Sequence, residues 1–426
     1  MNNIKIVPSE LEGHISIPPS KSITHRAIIC AGLSNGKSHI ENIIFSEDIS
    51  ATLEGMSSFG IKYEKFKEDR DRYSLIIEGK TPLRALSTTI DCRESGSTLR
   101  FLIPIACILG KEITFTGKGK LIERPLDEYY KIFDKQNIPY KNLKGNLPLR
   151  ICGKLKGDTF SLRGDVSSQF ISGLMFALPL LKEDSKIIIS TDLESKGYVD
   201  LTIDVLNSFG IKIQNNDYRE FFIEGNQKYI PQTYKVEGDF SQASFWLVAG
   251  LLGNKITCTD INVSSLQGDK VILDIIKNMG GNVEISETGI IAKKSKTKGT
   301  IIDVSQCPDL VPILATLASL SQGTTRIINA ARVRIKESDR LKAISTELNK
   351  LGAEITELED GLIIKGKEFL NGGEVDSWKD HRIAMALAVS SIRCLNPVII
   401  KDSSCVSKSY PGFWDDFRAL GGKFNN

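Results

Sequence analysis

The feature that most constrains the fold of this chain is an internal repeat of about 70 residues. A small or acidic residue opens an apolar helix, and a short Ile/Thr-rich strand follows, at intervals of 68 to 74 residues. These helix openers are Ser22, Ser95, Ser167, Ser241, Asp309 and Asp380. The chain of 426 residues has room for six such segments, and the sequence predicts six copies of one β-α-β-α-β-β unit.

A second and independent series of markers ends the other helix of each unit. A glycine or asparagine stands between an amphipathic helix and a strand at intervals of 69 to 77 residues. Both residue types suit the left-handed backbone that terminates helices. These stops are Gly60, Asn137, Gly210, Gly280, Gly352 and Gly421. Two independent markers with the same period support a true structural repeat.

The ends of the chain predict how the units are grouped. The sixth unit stops one strand short after GGKFNN, whereas the strand-like segment IKIV at 4–7 belongs to no unit. We expect this segment to complete the sixth unit, which makes one lobe discontinuous. The prediction is an N-terminal lobe at 20–231 and a C-terminal lobe formed by 1–19 and 232–426, each with three repeats. An open solenoid is the alternative, although this unit is not a common solenoid repeat.

Composition excludes several classes of protein. With 41% apolar and 25% charged residues, the chain has the profile of an ordinary globular protein. The balance of 55 Lys and Arg against 52 Asp and Glu is too even for a dedicated nucleic-acid binder. The longest apolar stretches, 170–181 and 310–320, are shorter than the ~20 residues of a membrane span. We expect no nucleic-acid partner, no membrane partner and, because no secretory signal is recognisable, a cytoplasmic location.

Cysteine and histidine usage indicates neither disulfides nor a metal centre. The eight cysteines include no C-x-x-C pair, which favours reduced thiols in a chain of this length. The four histidines include no H-E-x-x-H pattern. A histidine-based metal site is therefore not expected.

Cations cluster at the helix openers. Free N–H groups and the helix dipole make such helix starts anion sites, although serine and aspartate are also ordinary N-caps. Lys21 and Arg26 flank the first opener, Arg100 lies one turn into the second helix, and Arg382 follows the sixth. Joining segments add Arg124, Lys336, Arg340 and Lys408. If the repeats bring equivalent helix starts together, they form a site for small substrates with phosphate and carboxylate groups.

Several carboxylates accompany these cations. Glu337 lies beside Lys336 and Arg340, where it is either part of a solvated ion-pair network or a group held for proton transfer. Asp309 is either an N-cap or a functional group. Asp48 in SEDIS is interpreted as an N-cap. His381, next to Arg382 at an opener, is interpreted as functional.

The motifs taken together resemble one known family. They are PSKSITHRA, ESGSTLRF, IERPL, GDVSSQF, ESKGYVD, RIKESDRL, DHRIAMALA and VSKSYPGFWD. In this order and spacing the chain resembles the EPSP synthases, or 3-phosphoshikimate 1-carboxyvinyltransferases, over essentially its whole length. The resemblance implies an α/β fold, a two-lobed inside-out α/β barrel with three repeats in each lobe. It also implies transfer of the enolpyruvyl group of phosphoenolpyruvate to the 5-hydroxyl of shikimate 3-phosphate, on the route to chorismate and the aromatic amino acids.

The resemblance also implies residue roles, no metal or organic cofactor, and a monomer. The residues implied to bind shikimate 3-phosphate are Lys21, Ser22, Arg26, Ser167, Ser168, Gln169, Ser195, Tyr198, Asp309 and Lys336. Those implied to bind phosphoenolpyruvate are Lys21, Gly96, Arg124, Gln169, Arg340, His381, Arg382 and Lys408. Lys21, Asp309 and Glu337 are the implied catalytic residues, with the share of each in proton transfer left open. Gly96 implies sensitivity to glyphosate, the phosphonate inhibitor of the family.

The chain departs from the usual family pattern at three places, one of which is Val333, where tryptophan or tyrosine is common. Pro19 stands where many members have glycine, and Glu94 stands where many have asparagine. Two alternatives are weighed against this interpretation. The sister enzyme that transfers enolpyruvyl to UDP-N-acetylglucosamine usually has asparagine at the place of Ser22 and cysteine at the place of Gly119. A non-enzymatic repeat scaffold for anionic ligands would bind without turnover.

Overall fold

The computed structural model describes residues 3–69 and 71–425. Its strands, in chain order, are β1 (Ile4–Val7), β2 (Gly13–Ser16), β3 (Gly36–Ile44), β4 (Lys62–Asp69), β5 (Arg72–Gly79), β6 (Thr89–Asp91), β7 (Glu112–Thr116), β8 (Tyr140–Leu143), β9 (Asn146–Cys152), β10 (Thr159–Leu162), β11 (Ser185–Ile189), β12 (Gln214–Asn216), β13 (Glu220–Ile223), β14 (Thr233–Lys235), β15 (Ile256–Thr259), β16 (Asn282–Ser286), β17 (Gly289–Lys293), β18 (Ile301–Asp303), β19 (Thr324–Ile328), β20 (Glu354–Glu357), β21 (Leu362–Lys365), β22 (Gly373–Asp376), β23 (Val398–Lys401) and β24 (Lys423–Asn425).

Helices alternate with these strands. The α-helices are α1 (Lys21–Leu33), α2 (Glu47–Ser58), α3 (Gly96–Leu109), α4 (Asp127–Gln136), α5 (Ser168–Ala177), α6 (Lys196–Ser208), α7 (Phe240–Leu252), α8 (Ile272–Asn278), α9 (Val311–Ser319), α10 (Arg340–Lys350), α11 (His381–Ser390) and α12 (Phe413–Ala419). Short 3₁₀ helices cover Gly119–Glu123, Leu178–Leu180, Gly268–Val271, Pro308–Leu310, Ala331–Ile335, Ser391–Arg393 and Ser403–Lys408.

The strands form sheets of four with one shared topology. In the sheet β6-β7-β9-β8, β6 and β7 are parallel, and the other two pairings are antiparallel. The same pattern recurs in the sheets β10-β11-β13-β12, β14-β3-β5-β4, β2-β15-β17-β16, β18-β19-β21-β20 and β22-β23-β1-β24. The predicted six-fold β-α-β-α-β-β repeat is therefore confirmed.

The chain forms two compact units. One comprises Pro19–Glu237, and the other comprises the chain up to Pro18 together with the chain from Gly238. The sequence placed the second crossing between 231 and 232, but β14 at Thr233–Lys235 pairs with β3 and so lies in the first of these units. In the second unit, β1 lies between β23 and β24, where it supplies the strand that the sixth repeat lacks.

Each crossing falls between the first strand of a repeat and its first helix. The strand β2 precedes α1 in the chain, yet it pairs in parallel with β15 in the sheet of the fourth repeat. Likewise β14 precedes α7 but pairs in parallel with β3 of the first repeat. Both strands therefore remain in the unit that the chain is leaving.

The stops are confirmed as left-handed helix ends. All six have positive φ, from 53° at Asn137 to 99° at Gly421. The predicted helix openers coincide with the observed N-caps in only some of the repeats. Ser95, Ser167 and Asp380 are N-caps, whereas Ser20 and Asp239 cap the helices assigned to Ser22 and Ser241. Asp309 lies in the 3₁₀ turn Pro308–Leu310 that precedes α9.

The first helix of each repeat is buried in the core of its unit. Every residue of α7 and α9 is buried, as are most residues of α1, α3 and α5. Helices that are apolar on all sides belong in such interiors. Each unit has its own hydrophobic core. The helices of the described chain include none that is long and apolar enough to cross a membrane.

Candidate active site

In the unit Pro19–Glu237, Lys21 begins helix α1 and is paired with Asp48. The distance from Lys21 Nζ to Asp48 Oδ2 is 2.8 Å, and both side chains are partly buried. Asp48 was interpreted as an N-cap, which is wrong because the Ser46 hydroxyl accepts the cap hydrogen bond from the backbone N–H of Ile49. Asp48 is instead the carboxylate that holds the first predicted cation.

Arg26 is buried one turn further along α1 and is fixed on three sides. Its Nε donates to Thr202 Oγ1 at 2.8 Å, its Nη1 to the carbonyl of Ser22 at 2.7 Å, and its Nη2 to the carbonyl of Tyr198 at 3.0 Å. Burial lowers the pKa of Arg26 to about 10, which leaves the guanidinium charged at neutral pH. The structure thus brings together Ser22, Arg26 and Tyr198, three of the residues that the resemblance implies for shikimate 3-phosphate.

Gly96 begins helix α3 among polar side chains from two neighbouring segments. A Cβ atom at this residue would lie 2.7 Å from Arg124 Nη1 and 3.4 Å from Gln169 Oε1. Gln169 accepts from Arg100 Nη1 at 2.8 Å and donates to Ser97 Oγ at 3.0 Å. The backbone at Gly96 can therefore approach an anion that also meets Arg124, because no side chain intervenes.

The remaining predicted residues of this unit lie at two helix starts. Ser167 caps α5 by accepting from the backbone N–H of Gln169 at 3.3 Å, and Ser168 is buried in the first turn. Ser195 is buried before α6 with a left-handed backbone, φ 55°. Tyr198 follows in the first turn of α6 and is partly buried.

Two of the three departures from the family pattern, Glu94 and Pro19, lie in this unit. The carboxylate of Glu94 lies against Gly119, where an added Cβ would come within 2.8 Å of Oε2. Gly119 has a φ of 57°, and its neighbour Lys118 donates its backbone N–H to the carbonyl of Arg93 at 2.7 Å. Glu94 therefore packs on the segment that leads to Arg124. Pro19 is buried just before α1.

In the other unit, the buried guanidinium of Arg340 gathers three carboxylates. Its Nε donates to Asp380 Oδ2 at 2.8 Å, its Nη1 to Asp309 Oδ1 at 2.7 Å, and its Nη2 to Glu337 Oε2 at 2.7 Å. Only 1% of the Arg340 side chain is exposed, compared with 14% for Asp309 and 18% for Glu337. Arg340 therefore orients two carboxylates that keep some access to solvent.

Two further cations surround Asp309. Arg382 Nη2 lies 3.4 Å from Asp309 Oδ2, and Lys336 Nζ lies 3.5 Å from Oδ1. Burial acts to raise the pKa of Asp309, but Arg382, Lys336 and Arg340 together hold it well below its usual range. Burial also lowers the pKa of Lys336. Asp309 is consequently a carboxylate at neutral pH, suited to accept a hydrogen bond from a substrate hydroxyl.

His381 and Lys408 are the remaining predicted residues of this unit. His381 begins α11 and is buried, with Nδ1 3.7 Å from Asp380 Oδ1. Lys408 ends a 3₁₀ helix and donates from Nζ to the carbonyl of Lys379 at 2.8 Å. Asp380, the N-cap of α11, also accepts from the backbone N–H of Arg382 at 2.9 Å. The same carboxylate thus connects Arg340 with the helix start that carries His381 and Arg382.

Sequence reasoning missed one buried acid in this region. Asp269, in the 3₁₀ turn Gly268–Val271, accepts a hydrogen bond from the hydroxyl of Ser241. Burial raises the pKa of Asp269 to about 6, and the neighbouring charge of Asp309 adds to this effect. The segment LQGDK carries no charge cluster that could have marked it. Among the described residues, no group of three or more His, Cys, Asp or Glu side chains could hold a metal ion.

Comparisons with known proteins agree with the resemblance found in the motifs. The family model described as EPSP synthase (3-phosphoshikimate 1-carboxyvinyltransferase) matches residues 6–417. The 3-phosphoshikimate 1-carboxyvinyltransferase of Clostridium novyi is 61% identical, with 99% of this chain and 98% of the relative covered. That of Clostridium kluyveri is 59% identical over 100% of this chain and 99% of the relative. The solved EPSP synthase of Acinetobacter baumannii, 24% identical, superposes with a TM-score of 0.83 over 100% of both chains, which supports the fold.

Proposed function

Because the chain belongs to the EPSP synthase family, we propose that it transfers the enolpyruvyl group of phosphoenolpyruvate to the 5-hydroxyl of shikimate 3-phosphate, with release of phosphate. The observation that carries the chemistry is the cluster in which Arg340 holds Asp309 and Glu337 side by side. Enolpyruvyl transfer needs acidic and basic groups next to cations that stabilise an anionic substrate. This cluster supplies both.

The phosphate of shikimate 3-phosphate is assigned to the start of α1 and to the neighbouring helix starts. Arg26 is oriented by Thr202 and by two backbone carbonyls, so its guanidinium is held in one direction before the ligand arrives. Lys21 and Ser22 add a point charge and a hydroxyl in the same turn. Ser167, Ser168, Gln169, Ser195 and Tyr198 are assigned to the same substrate, as are Asp309 and Lys336.

Phosphoenolpyruvate is assigned to two groups of residues. In the first, Arg124 and Gln169 lie beside Gly96, a buried residue without a side chain at the start of α3, a combination that suits a phosphate group. In the second, Arg382 donates from Nη1 to the backbone carbonyl of Asp309 at 3.2 Å and from Nη2 to the Asp309 carboxylate at 3.4 Å. These long contacts are weaker than those of Arg340, so we expect Arg382 to exchange them for the substrate. Arg340, His381 and Lys408 are assigned to the same ligand.

The reaction we propose proceeds by addition and elimination. The 5-oxygen gives up its proton to a base of the site and attacks C2 of phosphoenolpyruvate, while a proton is added to C3, which converts the methylene to a methyl group in a tetrahedral adduct. Loss of a proton from that methyl group and of phosphate from C2 then gives the enolpyruvyl ether. Asp309, held as a carboxylate, is assigned to orient the 5-hydroxyl. Glu337 is assigned to the carbon proton, and Lys21 to charge stabilisation at the reacting centre.

The test is the release of inorganic phosphate from phosphoenolpyruvate with two acceptors. Release with shikimate 3-phosphate, and none with UDP-N-acetylglucosamine, is the expected result. Release with UDP-N-acetylglucosamine alone would favour the sister enzyme that uses that acceptor. Binding of phosphoenolpyruvate and shikimate 3-phosphate without release of phosphate would favour a non-enzymatic scaffold. We also propose that the protein is cytoplasmic and that it is a monomer. Gel filtration of the purified chain would test the monomer through its molecular mass.

A further inference from the structure

Four buried side chains join three helices of the unit Pro19–Glu237 in one line of hydrogen bonds. His25 Nδ1 of α1 lies 2.7 Å from Thr52 Oγ1 of α2, and Thr52 Oγ1 lies 2.7 Å from Thr98 Oγ1 of α3. Thr98 Oγ1 in turn donates to Ser95 Oγ at 2.8 Å. All four residues are at most 1% exposed. This hydroxyl relay (His25, Thr52, Thr98 and Ser95) therefore connects α1 with the N-cap of α3.

The donors of the hydroxyl relay follow from the single hydrogen on each threonine hydroxyl. Thr98 gives its hydrogen to Ser95, so it must accept from Thr52. Thr52 has then used its own hydrogen and must accept from His25, which fixes the proton of the neutral ring on Nδ1. Burial and the nearby charges of Lys21 and Arg26 hold the pKa of His25 well below its ordinary value, which keeps the ring neutral.

The far end of the hydroxyl relay lies at the proposed phosphoenolpyruvate site. The Ser95 hydroxyl accepts from the backbone N–H of Thr98 at 3.1 Å and so fixes the turn that contains Gly96. Thr98 Oγ1 also lies 3.4 Å from the carbonyl of Asp48, the residue paired with Lys21. The relay thus contacts the backbone of both segments while none of its members belongs to the proposed set of ligand contacts.

We propose that His25 is a positioning residue that, through Thr52 and Thr98, fixes the first turn of α3 for binding of phosphoenolpyruvate. The proposal rests on the function proposed above, because it names the substrate that this turn meets. Only one member of the relay needs to lose its hydroxyl for the connection to break. A valine at residue 52 would fill the volume of threonine and leave the Nδ1 hydrogen of His25 without its acceptor.

The same unit offers a matched control substitution that should affect the other substrate, shikimate 3-phosphate. Thr202 Oγ1 accepts from Arg26 Nε at 2.8 Å and lies 2.7 Å from Ser172 Oγ, also in the buried interior. This second hydroxyl line ends on the residue assigned to shikimate 3-phosphate. Thr52→Val and Thr202→Val therefore make the same chemical change in the same unit, and they should affect different substrates.

The experiment measures steady-state kinetics and the binary affinity for shikimate 3-phosphate in Thr52→Val, Thr52→Ser and Thr202→Val. We expect Thr52→Val to raise KM for phosphoenolpyruvate about tenfold, the effect of one lost hydrogen bond to a buried partner. Its Kd for shikimate 3-phosphate should stay unchanged, and Thr52→Ser should restore KM. Thr202→Val should instead weaken shikimate 3-phosphate. Equal losses of both substrates in Thr52→Val, an unchanged KM, or failure of serine to restore it would overturn the proposal.

A second measurement is independent of turnover. Hydrogen exchange of the backbone amides at 96–102 should be faster in Thr52→Val and in His25→Leu than in the unaltered chain, and restored in His25→Asn, whose side-chain amide can donate to Thr52. Unchanged exchange in both His25→Leu and Thr52→Val would refute the positioning role. If the unaltered chain releases no phosphate, the proposed function fails while the exchange result still decides whether the relay fixes α3.

Discussion

Gly96→Ala tests how closely the start of α3 is fitted to its ligand. The added Cβ would lie 2.7 Å from Arg124 Nη1, whereas ordinary van der Waals contact begins at 3.4 Å. The guanidinium must therefore retreat by about 0.7 Å, since it is the flexible partner in this contact. A hydrogen bond from Arg124 to phosphate would be stretched out of its normal range by that distance. The loss of one charge-assisted hydrogen bond costs about 1.5 kcal/mol, which corresponds to an increase of about tenfold in KM for phosphoenolpyruvate.

Glyphosate should be affected more strongly than the substrate. The inhibitor is longer than phosphoenolpyruvate, so the methyl group crowds it in addition to moving Arg124. We expect its inhibition constant to rise by a larger factor than KM, both measured by phosphate release at saturating shikimate 3-phosphate. An inhibition constant and a KM that rise equally would mean that Gly96 is needed for the helix end and does not discriminate between the two. An unaltered enzyme insensitive to glyphosate would also refute the reasoning.

Gly32→Ala is the matched control for this substitution. It also adds a methyl group to a helix of the same unit, where the Cβ would lie 2.5 Å from the flexible end of Met56. Met56 is apolar and belongs to α2, and Gly32 lies at the opposite end of α1 from Lys21, so we expect unchanged KM and inhibition constants. A comparable change in both variants would point to a general loosening of the unit.

Four further substitutions test other parts of the site. Glu337→Gln keeps the shape of the side chain but removes its ability to give and take a proton, so kcat should fall by about 10²-fold or more while the Kd for shikimate 3-phosphate stays unchanged. A near-normal kcat would exclude Glu337 from proton transfer. Asp48→Asn removes the charge paired with Lys21, and kcat should fall with little change in melting temperature, because a partly exposed ion pair adds only about 1 kcal/mol to stability. Lys408→Ala should raise KM for phosphoenolpyruvate and leave shikimate 3-phosphate binding intact, as calorimetry would show. Burial raises the pKa of Asp269 from 3.8 to about 6, so its protonated form stabilises the fold below pH 4 and this contribution is lost as the pH rises through 6. In urea unfolding, the free energy of unfolding of Asp269→Asn should therefore rise by roughly 2–3 kcal/mol relative to that of the unaltered chain between pH 4 and 7. A difference that stays constant with pH would contradict the assignment.

The parts of the fold that depend on local backbone chemistry were predictable from sequence. A helix that ends in a left-handed residue needs glycine or asparagine at one position, so the stops from Gly60 to Gly421 could be read directly. N-caps are less specific, because several residues of a segment such as PSKS or GDFS can accept the same hydrogen bond. The prediction therefore names Ser22 and Ser241 in place of the true caps, Ser20 and Asp239.

Distant pairing could be predicted for β1, because the sixth unit is visibly one strand short, but not for the other features that depend on it. The strands β2 and β14 pair outside the repeat whose helix they precede, and only the tertiary fold decides this. Asp48 was dismissed as a cap because its partner, Lys21, lies 27 residues away. For the same reason the sequence does not predict that Asp309, Glu337 and Asp380 gather on the guanidinium of Arg340.

The placement of β1 between β23 and β24 has a consequence for biosynthesis. All strands and helices of the unit Pro19–Glu237 are made as one continuous stretch, so this unit can complete its sheets while the ribosome is still translating the rest. The strand Ile4–Val7 is made first of all, yet its partners Val398–Lys401 and Lys423–Asn425 are made last. Its pairing closes a loop of almost the whole chain, so the sixth sheet is the last that the growing polypeptide can finish.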